Sequence, residues 1–277
     1  MTAADKYFSN PTALPSMPEV ATQLLRSFQR DDVGLSELSA IIAKDQGLSV
    51  KLLRLANSAR YSPSHRVASI QDAAMMIGLS SLRDLALAAS FSSAFPQTAG
   101  FDRLRFWRQC LASAGHARML AQACDVNPDT AYLAGLVART GELLMVMQEP
   151  EAVAQAEAQA HLPDSLLDHE RLVMHCTHLE VTAELARRWH FPQELVAGLE
   201  AAADPLAAVP FSKLGAVLRL ASVMSEAGEM GLAPLSTLME IQPELMHHMH
   251  LDMDMDWLAA HMQPYDVLTA GIDALVH

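Results

Sequence analysis

Apolar residues recur three and four positions apart along most of this chain, which is the spacing of one face of an α-helix. Two such stripes follow one another directly, the first made of Leu35, Leu38, Ile41 and Ile42 and the second of Leu48, Leu52, Leu55 and Ala56. Hydrophobic residues make up 51% of the chain, but aromatic residues only 5%. Because strands favour aromatic and β-branched residues, this composition favours helices. The sequence predicts an all-α fold.

Helix starts are marked by a Ser or Thr followed three residues later by an acidic residue. The pairs are Ser16 with Glu19, Ser69 with Asp72, Ser81 with Asp84, and Thr177 with Glu180. Long helices are predicted over residues 101–124 and 128–147. The polar, flexible segment at residues 96–100 is the best internal boundary. A chain of 277 residues is long enough to bury a sizeable core.

Charge is distributed unevenly between the two halves of the chain. Residues 1–124 carry 13 Lys and Arg against 9 Asp and Glu, and residues 125–277 carry 6 against 23. The first half therefore has a net charge of +4 and the second −17, within a total of −13. This asymmetry suggests different partners for the two halves, or an acidic half that is simply well solvated. No signal peptide and no apolar run of membrane-spanning length occur, and the three cysteines have no metal-binding spacing, so we expect a cytoplasmic protein without membrane insertion.

Four separated motifs indicate a family resemblance. Three lie in the first half and read Leu14-Pro15-Ser16-Met17-Pro18-Glu19-Val20, Asp45-Gln46-Gly47-Leu48-Ser49-Val50-Lys51-Leu52-Leu53-Arg54-Leu55-Ala56-Asn57, and Ile70-Gln71-Asp72-Ala73-Ala74-Met75-Met76-Ile77-Gly78-Leu79 followed by Leu82-Arg83. The fourth is Gly135-Leu136-Val137-Ala138-Arg139-Thr140-Gly141. Over residues 14–210 the chain resembles the HDOD domain, a non-catalytic relative of the HD phosphohydrolases found in bacterial signalling proteins. Its fourth motif is similar to the Gly-Leu-Leu-His-Asp-Ile-Gly from which the HD superfamily takes its name.

The resemblance implies that the metal-binding positions of HD hydrolases have been replaced. The matching positions are Gln109, Ala138, Arg139, His178 and Ser222. A methyl group offers no lone pair, and a guanidinium repels a metal ion. We therefore predict no metal, no cofactor and no enzymatic activity, with His178 held by packing or a hydrogen bond. Arg139 is expected to fill the former site by pairing with Glu142 or Glu200.

The resemblance also implies a domain organisation and a function. Residues 1–98 would form an N-terminal helical bundle, residues 99–210 a degenerate HD-like subdomain on which that bundle packs, and residues 211–277 a helical extension. The function would be that of a non-enzymatic adaptor or output module in bacterial signal transduction, acting through unidentified signalling proteins. Candidate interaction or family-motif residues are Asp45, Lys51, Arg54, Asn57, Arg60 and Arg83. The alternative to an interaction role is a structural one, in which these side chains join the N-terminal helices by hydrogen bonds.

Two other functions remain open from the sequence. One is a metal-dependent phosphohydrolase with unorthodox ligands. The other is a DNA-binding regulator, because residues 35–57 resemble a helix-turn-helix with Lys51, Arg54, Arg60 and Arg66 available for phosphates. Against DNA binding, the leucines of the second helix would be buried and the whole chain is acidic, so a nucleic-acid partner is not expected. Whether a small molecule binds is left open.

Two histidine-containing segments could bind metal but have simpler interpretations. His175 and His178 would need His169 or Glu170 as a third ligand, and Thr177 instead predicts a helix cap between them. Residues 246–256 alternate Met, His and Asp, which suits copper or a harder divalent ion. The alternative for this segment, which we favour, is a loop before a helix whose first turn is supplied with aspartates.

Overall fold

The structure is a computed structural model that describes residues 2–9, 14–27, 30, 33–57 and 67–273. Every regular element within these residues is a helix, so the predicted all-α fold is confirmed. Residue contacts divide the chain into two compact units. The large unit comprises residues 1–14, 98–101 and 108–269, and the small unit comprises residues 15–97, 102–107 and 270–277. The three-part division predicted from the sequence, with boundaries at residues 98 and 210, stays a prediction.

The small unit contains the first five α-helices. They are α1 (Glu19–Ser27), α2 (Leu35–Ile42), α3 (Gln46–Ala56), α4 (Ile70–Ile77) and α5 (Leu79–Ala94). The apolar stripes of α2 and α3 are buried as their spacing predicts, and Leu38, Ile42, Leu52 and Leu55 are all at most 1% exposed. Helix α1 packs against α2 and α5, while α3 packs against α4 and α5.

The large unit contains most of the remaining helices. Helix α6 (Arg103–Ala123) begins in the small unit and continues into the large one. The elements of the large unit are a 3-10 helix at Ala3–Phe8, α7 (Pro128–Val137), α8 (Thr140–Gln148), α9 (Pro150–Glu157), α10 (Leu166–Met174), α11 (His178–Arg188), α12 (Gln193–Ala201), α13 (Lys213–Glu229), α14 (Pro234–Ile241), α15 (Pro243–His248), a 3-10 helix at Leu251–Met253, α16 (Met255–His261) and α17 (Tyr265–Leu268). Helix α11 packs between α8 and α12, and α13 packs against α7, α12 and α14.

Two of the four predicted helix starts are confirmed. The start at Ser16 was wrong, because α1 begins only at Glu19. The Ser69 hydroxyl accepts a hydrogen bond from the backbone of Asp72, and Thr177 with Glu180 forms a complete capping box. The prediction from Ser81 was wrong, because α5 already begins at Leu79. Gly78, at φ +93°, lets the chain turn sharply from α4 into α5 without an intervening polar cap.

The helix predicted over residues 128–147 is interrupted, which the sequence analysis did not anticipate. Helix α7 ends at Val137 and α8 begins at Thr140, leaving Ala138 and Arg139 as a two-residue joint. Both joint residues keep φ and ψ in or near the right-handed helical region, so apolar periodicity continues across the break. The break nevertheless falls at the two positions that match the HD pair.

The lengths and hydropathies of the helices bear on membrane insertion. Among the described residues, no single helix is both long and apolar enough to cross a bilayer. Helices α4 and α5 reach the required length only together, and they meet at a bend of 116°.

Candidate functional site

The joint between α7 and α8 lies close against the start of α11. The amide of Gly141 donates to the Thr182 hydroxyl at 2.8 Å, and the same hydroxyl lies 2.7 Å from the carbonyl oxygen of Ala138 and 2.8 Å from that of His178. A Cβ atom at position 141 would come within 2.6 Å of the Thr182 backbone nitrogen. Glycine is therefore required here by close approach of two helices, and this contact fixes Arg139 beside His178.

Arg139 is buried at the joint and paired with carboxylates. Its side chain is 5% exposed, and its guanidinium lies 2.6 Å from Glu142 Oε2 and 3.5 Å from Glu226 Oε1. Burial alone lowers the pKa of Arg139, but the two carboxylates outweigh that effect and raise it, so the group is a permanent cation. The expected pair with Glu142 is present. Glu200 is instead exposed and pairs with Arg187.

Glu226 connects the Arg139 pair to a second, partly buried ion pair. Its carboxylate accepts from the Ser222 hydroxyl at 3.2 Å and from the backbone amide of Asp164 at 2.7 Å. The Asp164 carboxylate in turn lies 2.7 Å from Arg219 Nε, and the Gln242 amide donates to it. Burial raises the pKa of Asp164 to about 6, although Arg219 and Gln242 oppose that rise. The network joins α8, α13 and the segment between α9 and α10.

His178 is held by one carboxylate from α10. Its Nδ1 atom lies 2.8 Å from Glu170 Oε1, and its backbone amide donates to Glu170 Oε2 at 2.8 Å. Both side chains are almost fully buried, at 4% and 2% exposure. The hydrogen bond expected to hold His178 is therefore present, and its partner is Glu170.

The structure brings four of the five HD-matching positions to one small cavity. Ala138, Arg139, His178 and Ser222 all line it, together with Asp164, Arg219 and Glu226. The space open to water-sized molecules is about 20 Å³, which is room for about one water molecule. The remaining position, Gln109, is buried on α6, where its amide donates to Glu229. A phosphate ester does not fit the cavity in this conformation.

The residues around the cavity do not fit a metal ion. The carboxylates of Glu142, Glu226 and Asp164 are each paired with a guanidinium. Ala138 and Ser222 contribute only a methyl group and a hydroxyl to the lining. No group of three His, Cys, Asp or Glu within the described ranges has a geometry that could hold one. His175 sits exposed at the left-handed end of α10, and the ring of His178 faces Glu170.

Asp164, Arg219 and Glu226 were not predicted from the sequence. A signal for two of them exists, because Arg219, Ser222 and Glu226 are spaced three and four apart on an otherwise apolar helix. Such a polar stripe on a buried helix indicates a side-chain network rather than a solvated face. Asp164 has no comparable signal, since it lies in a short connection at φ +70°.

The candidate residues of the small unit divide into structural and exposed groups. Asp45 caps α3 by accepting from the Leu48 amide at 2.9 Å. Asn57 donates to the carbonyl of Leu53 and binds both backbone groups of Val67, each at 2.8 Å. Asp45 and Asn57 therefore have the structural role, which is to hold the helices of the small unit by hydrogen bonds.

Arg83 also reaches a neighbouring helix, because its guanidinium lies 3.4 Å from the carbonyl oxygen of Ser27 at the end of α1. Arg54 is exposed and Lys51 is partly buried on α3. Burial lowers the pKa of Lys51, and Arg103 and Arg54 lower it further while Asp45 opposes them. Arg60 and Arg66 lie outside the described residues.

Residues 246–256 run from the end of α15 through the 3-10 helix at Leu251–Met253 into the start of α16. His247 Nδ1 lies 2.8 Å from Asp252 Oδ2, and the ring of His248 packs on Phe211 with centroids 4.4 Å apart. Asp254 precedes α16, and Asp256 lies in its first turn. This arrangement fits the loop and acidic helix start that the sequence favoured over a metal site.

Comparison with known proteins identifies the relatives of the chain. The HDOD domain family matches residues 14–205. An uncharacterised protein of Treponema pallidum (strain Nichols) is 28% identical over 188 residues, which cover 66% of this chain and 36% of that protein. The chain thus spans about a third of that relative's length.

Two solved structures share the fold over the whole chain. A putative phosphohydrolase from Shewanella amazonensis SB2B aligns with a TM-score of 0.73 and 26% identity, covering 100% of this chain and 99% of its own. A putative signal transduction protein from Marinobacter aquaeolei VT8 aligns with a TM-score of 0.70 and 20% identity, covering 100% of this chain and 62% of its own. The second likeness is a likeness of fold alone.

Proposed function

Because this chain belongs to the HDOD family, we propose that it is a non-enzymatic module of signal transduction that acts by binding another protein. The observation that carries the proposal is the buried pairing of Arg139 with Glu142 and Glu226. A permanent cation fixed among the carboxylates repels a divalent ion. The remaining space admits about one water molecule, so the positions that match a hydrolase's ligands serve the packing of the large unit.

The surface we assign to the partner is the exposed side of α3, called here the α3 face and defined by Val50, Lys51 and Arg54. Val50 is 57% exposed, so it offers an apolar contact within this face. Arg54 follows it by one helical turn, and Lys51 adds a second positive charge beside it. A partner with acidic residues around an apolar contact complements this face, and its association would slow as salt is added.

A site-specific crosslinker tests this surface. We would place a photo-activatable amino acid at Val50 in the full chain, and a matched one at Leu172, which is 73% exposed in the large unit. The proposal expects one protein to be captured at position 50 and not at position 172. With that protein purified, Lys51→Glu with Arg54→Glu should weaken binding at least tenfold and flatten its salt dependence. Equal capture at both positions, or unchanged affinity, would contradict the surface.

The second candidate function is metal-dependent phosphohydrolysis, which the name of the Shewanella structure favours. Metal-assisted hydrolysis requires a bound ion that lowers the pKa of water. We expect purified protein to release no stoichiometric iron, manganese or zinc on acid digestion, and to leave bis-p-nitrophenyl phosphate and cyclic dinucleotides intact with added Mn²⁺. Metal-dependent turnover that His178→Ala abolishes would establish the enzyme instead.

DNA binding has one observation in its favour, since α2 and α3 are joined by a short turn as in a helix-turn-helix. The inner face of α3 is occupied by Leu48, Leu52 and Leu55, and Asn57 is committed to Val67. Few side chains remain to read bases. Binding to duplex DNA that weakens steeply with salt, and weakens further in the Lys51→Glu, Arg54→Glu variant, would favour this function over a protein partner.

A further inference from the structure

Helices α1 and α2 of the small unit enclose an open cleft, called here the α1–α2 cleft, with a volume of about 300 Å³. Two side-chain bridges mark its ends. Arg30 pairs with Glu37 at 2.6 Å at one end, and Lys44 donates to the Gln23 amide oxygen at 2.7 Å at the other. The first bridge joins the chain just after α1 to the start of α2, and the second joins the chain just after α2 to the middle of α1. The two helices are therefore antiparallel. Arg26 and Ser27 from α1 and Ala40 and Ile41 from α2 lie between the bridges.

Positive charge dominates the described lining of this cleft. Arg30 and Glu37 neutralise each other, and the partner of Lys44 is an uncharged amide. Arg26 makes no ion pair with any carboxylate in the described part of the chain. Arg83 adds a further cation behind Ser27, whose carbonyl oxygen it approaches at 3.4 Å. Arg26 and Lys44, on opposite walls of the cleft, thus have no carboxylate partner among the residues that the structure describes.

We propose that the α1–α2 cleft binds a small phosphate-bearing molecule. Arg26 and Lys44 would bind the phosphate oxygens from opposite walls, because guanidinium and ammonium groups form strong charge-assisted hydrogen bonds to phosphate. The rest of the ligand would lie over Ala40 and Ile41, which provide an uncharged surface. The volume is at the lower end of that of small-molecule sites, which matches a mononucleotide or a sugar phosphate.

Calorimetric titration of the full chain tests this site, with AMP, inorganic pyrophosphate and adenosine as the probes. AMP should bind and adenosine should not, since adenosine lacks the phosphate. Arg26→Gln and Lys44→Gln should each weaken AMP binding by about tenfold or more, the value of one charge-assisted hydrogen bond. Arg105→Gln is the matched control, because Arg105 is an exposed cation of the same unit that does not line the cleft.

Each outcome separates the proposal from its competitors. Pyrophosphate binding as tightly as AMP also supports the site and identifies the phosphate as the whole recognised group. No binding of AMP or pyrophosphate at millimolar concentration overturns the proposal and leaves these cations as helix-end charges that stabilise α1 and α2. An equal loss in Arg105→Gln overturns it as non-specific attraction. Binding of a short poly-glutamate peptide without binding of AMP overturns it in favour of an acidic protein segment.

Discussion

The cavity of the large unit and the α1–α2 cleft of the small unit are both lined by cationic side chains, but those side chains differ in their burial and in their partners. In the cavity, Arg139 and Arg219 are each bonded to carboxylates from other elements and are nearly excluded from water. In the cleft, Arg26 and Lys44 face solvent and lack a carboxylate partner among the described residues. A buried cation must be neutralised by the protein itself, whereas an exposed one is neutralised by water until a ligand arrives. The first arrangement closes a site and the second keeps one open.

The largest effect should come from removing the cation of the closed site. Arg139→Ala leaves Glu142 and Glu226 buried without their partner, which costs about 3–5 kcal/mol of unfolding free energy. Urea unfolding measures this loss. Arg171→Ala is the control, because its ion pair with Asp168 is exposed and worth at most about 1 kcal/mol.

A double variant separates charge from packing at the same site. Arg139→Met combined with Glu142→Gln removes both members of the closest pair and should recover part of the stability lost in Arg139→Ala. If Arg139→Ala costs no more than Arg171→Ala, the buried network does not hold the large unit together and the comparison with the cleft fails.

The second prediction concerns acid. The pKa of Asp164 is raised in the folded state to about 6, above its ordinary value of 3.8, so the folded protein takes up this proton before the unfolded chain does. The contribution of Asp164 to stability therefore grows as pH falls from about 6 to about 4, by roughly 3 kcal/mol. Above pH 6 that contribution is lost, since the buried carboxylate is charged.

Urea unfolding at pH 7, 6, 5 and 4 checks this sign. The stability of the wild-type chain relative to Asp164→Asn should rise toward pH 4. Asp168→Asn, which alters an exposed carboxylate, should show no such trend relative to wild type. A relative stability that falls toward pH 4 would mean that Arg219 controls Asp164 more strongly than burial does.

A pair of glycines tests how tightly the closed site is packed. Gly141→Ala places a methyl group against the backbone of α11 and should cost about 1–3 kcal/mol, with a visible loss of melting temperature. Gly34→Ala, at the start of α2, meets nothing within 4 Å and should change stability far less. Similar losses in both variants would show that glycine flexibility, and not close approach of α8 to α11, sets the cost at position 141.

The smallest effect is expected at the open cleft. Arg26→Gln and Lys44→Gln should each change the unfolding free energy by less than about 0.5 kcal/mol, because exposed side chains contribute little to stability. The same variants are the ones expected to lose AMP binding. A large loss of stability in either would assign these residues to the folding of the small unit and remove the contrast with Arg139.

Local features of the fold could be predicted from the sequence, and contacts between distant residues could not. The buried stripes of α2 and α3 and the Thr177 cap depend on residues three or four apart, so spacing is enough to find them. The pair of Arg139 with Glu142 has the same spacing. Glu226 is 87 residues away from Arg139, and no local pattern connects the two.

Two further features were beyond sequence reasoning for physical reasons. The joint at residues 138–139 keeps nearly helical backbone angles, so a periodic pattern does not register the break between the two helices. The α1–α2 cleft depends on bridges such as Arg30 with Glu37, whose existence follows from the antiparallel placement of two helices. Family resemblance predicted which positions would meet around the cavity, but it did not identify the carboxylates that neutralise Arg139.

The hydrogen bonds of Asn57 indicate a place where a label can be inserted into this protein. Its side-chain amide forms hydrogen bonds of 2.8 Å with both the carbonyl oxygen and the amide nitrogen of Val67. These bonds hold the two ends of the connection between Asn57 and Val67 together. Doubling the length of such a connection costs only about 0.6 kcal/mol in closure entropy. We expect an epitope of roughly nine residues, which would about double the length of this connection, to leave the hydrogen bonds between Asn57 and Val67 in place.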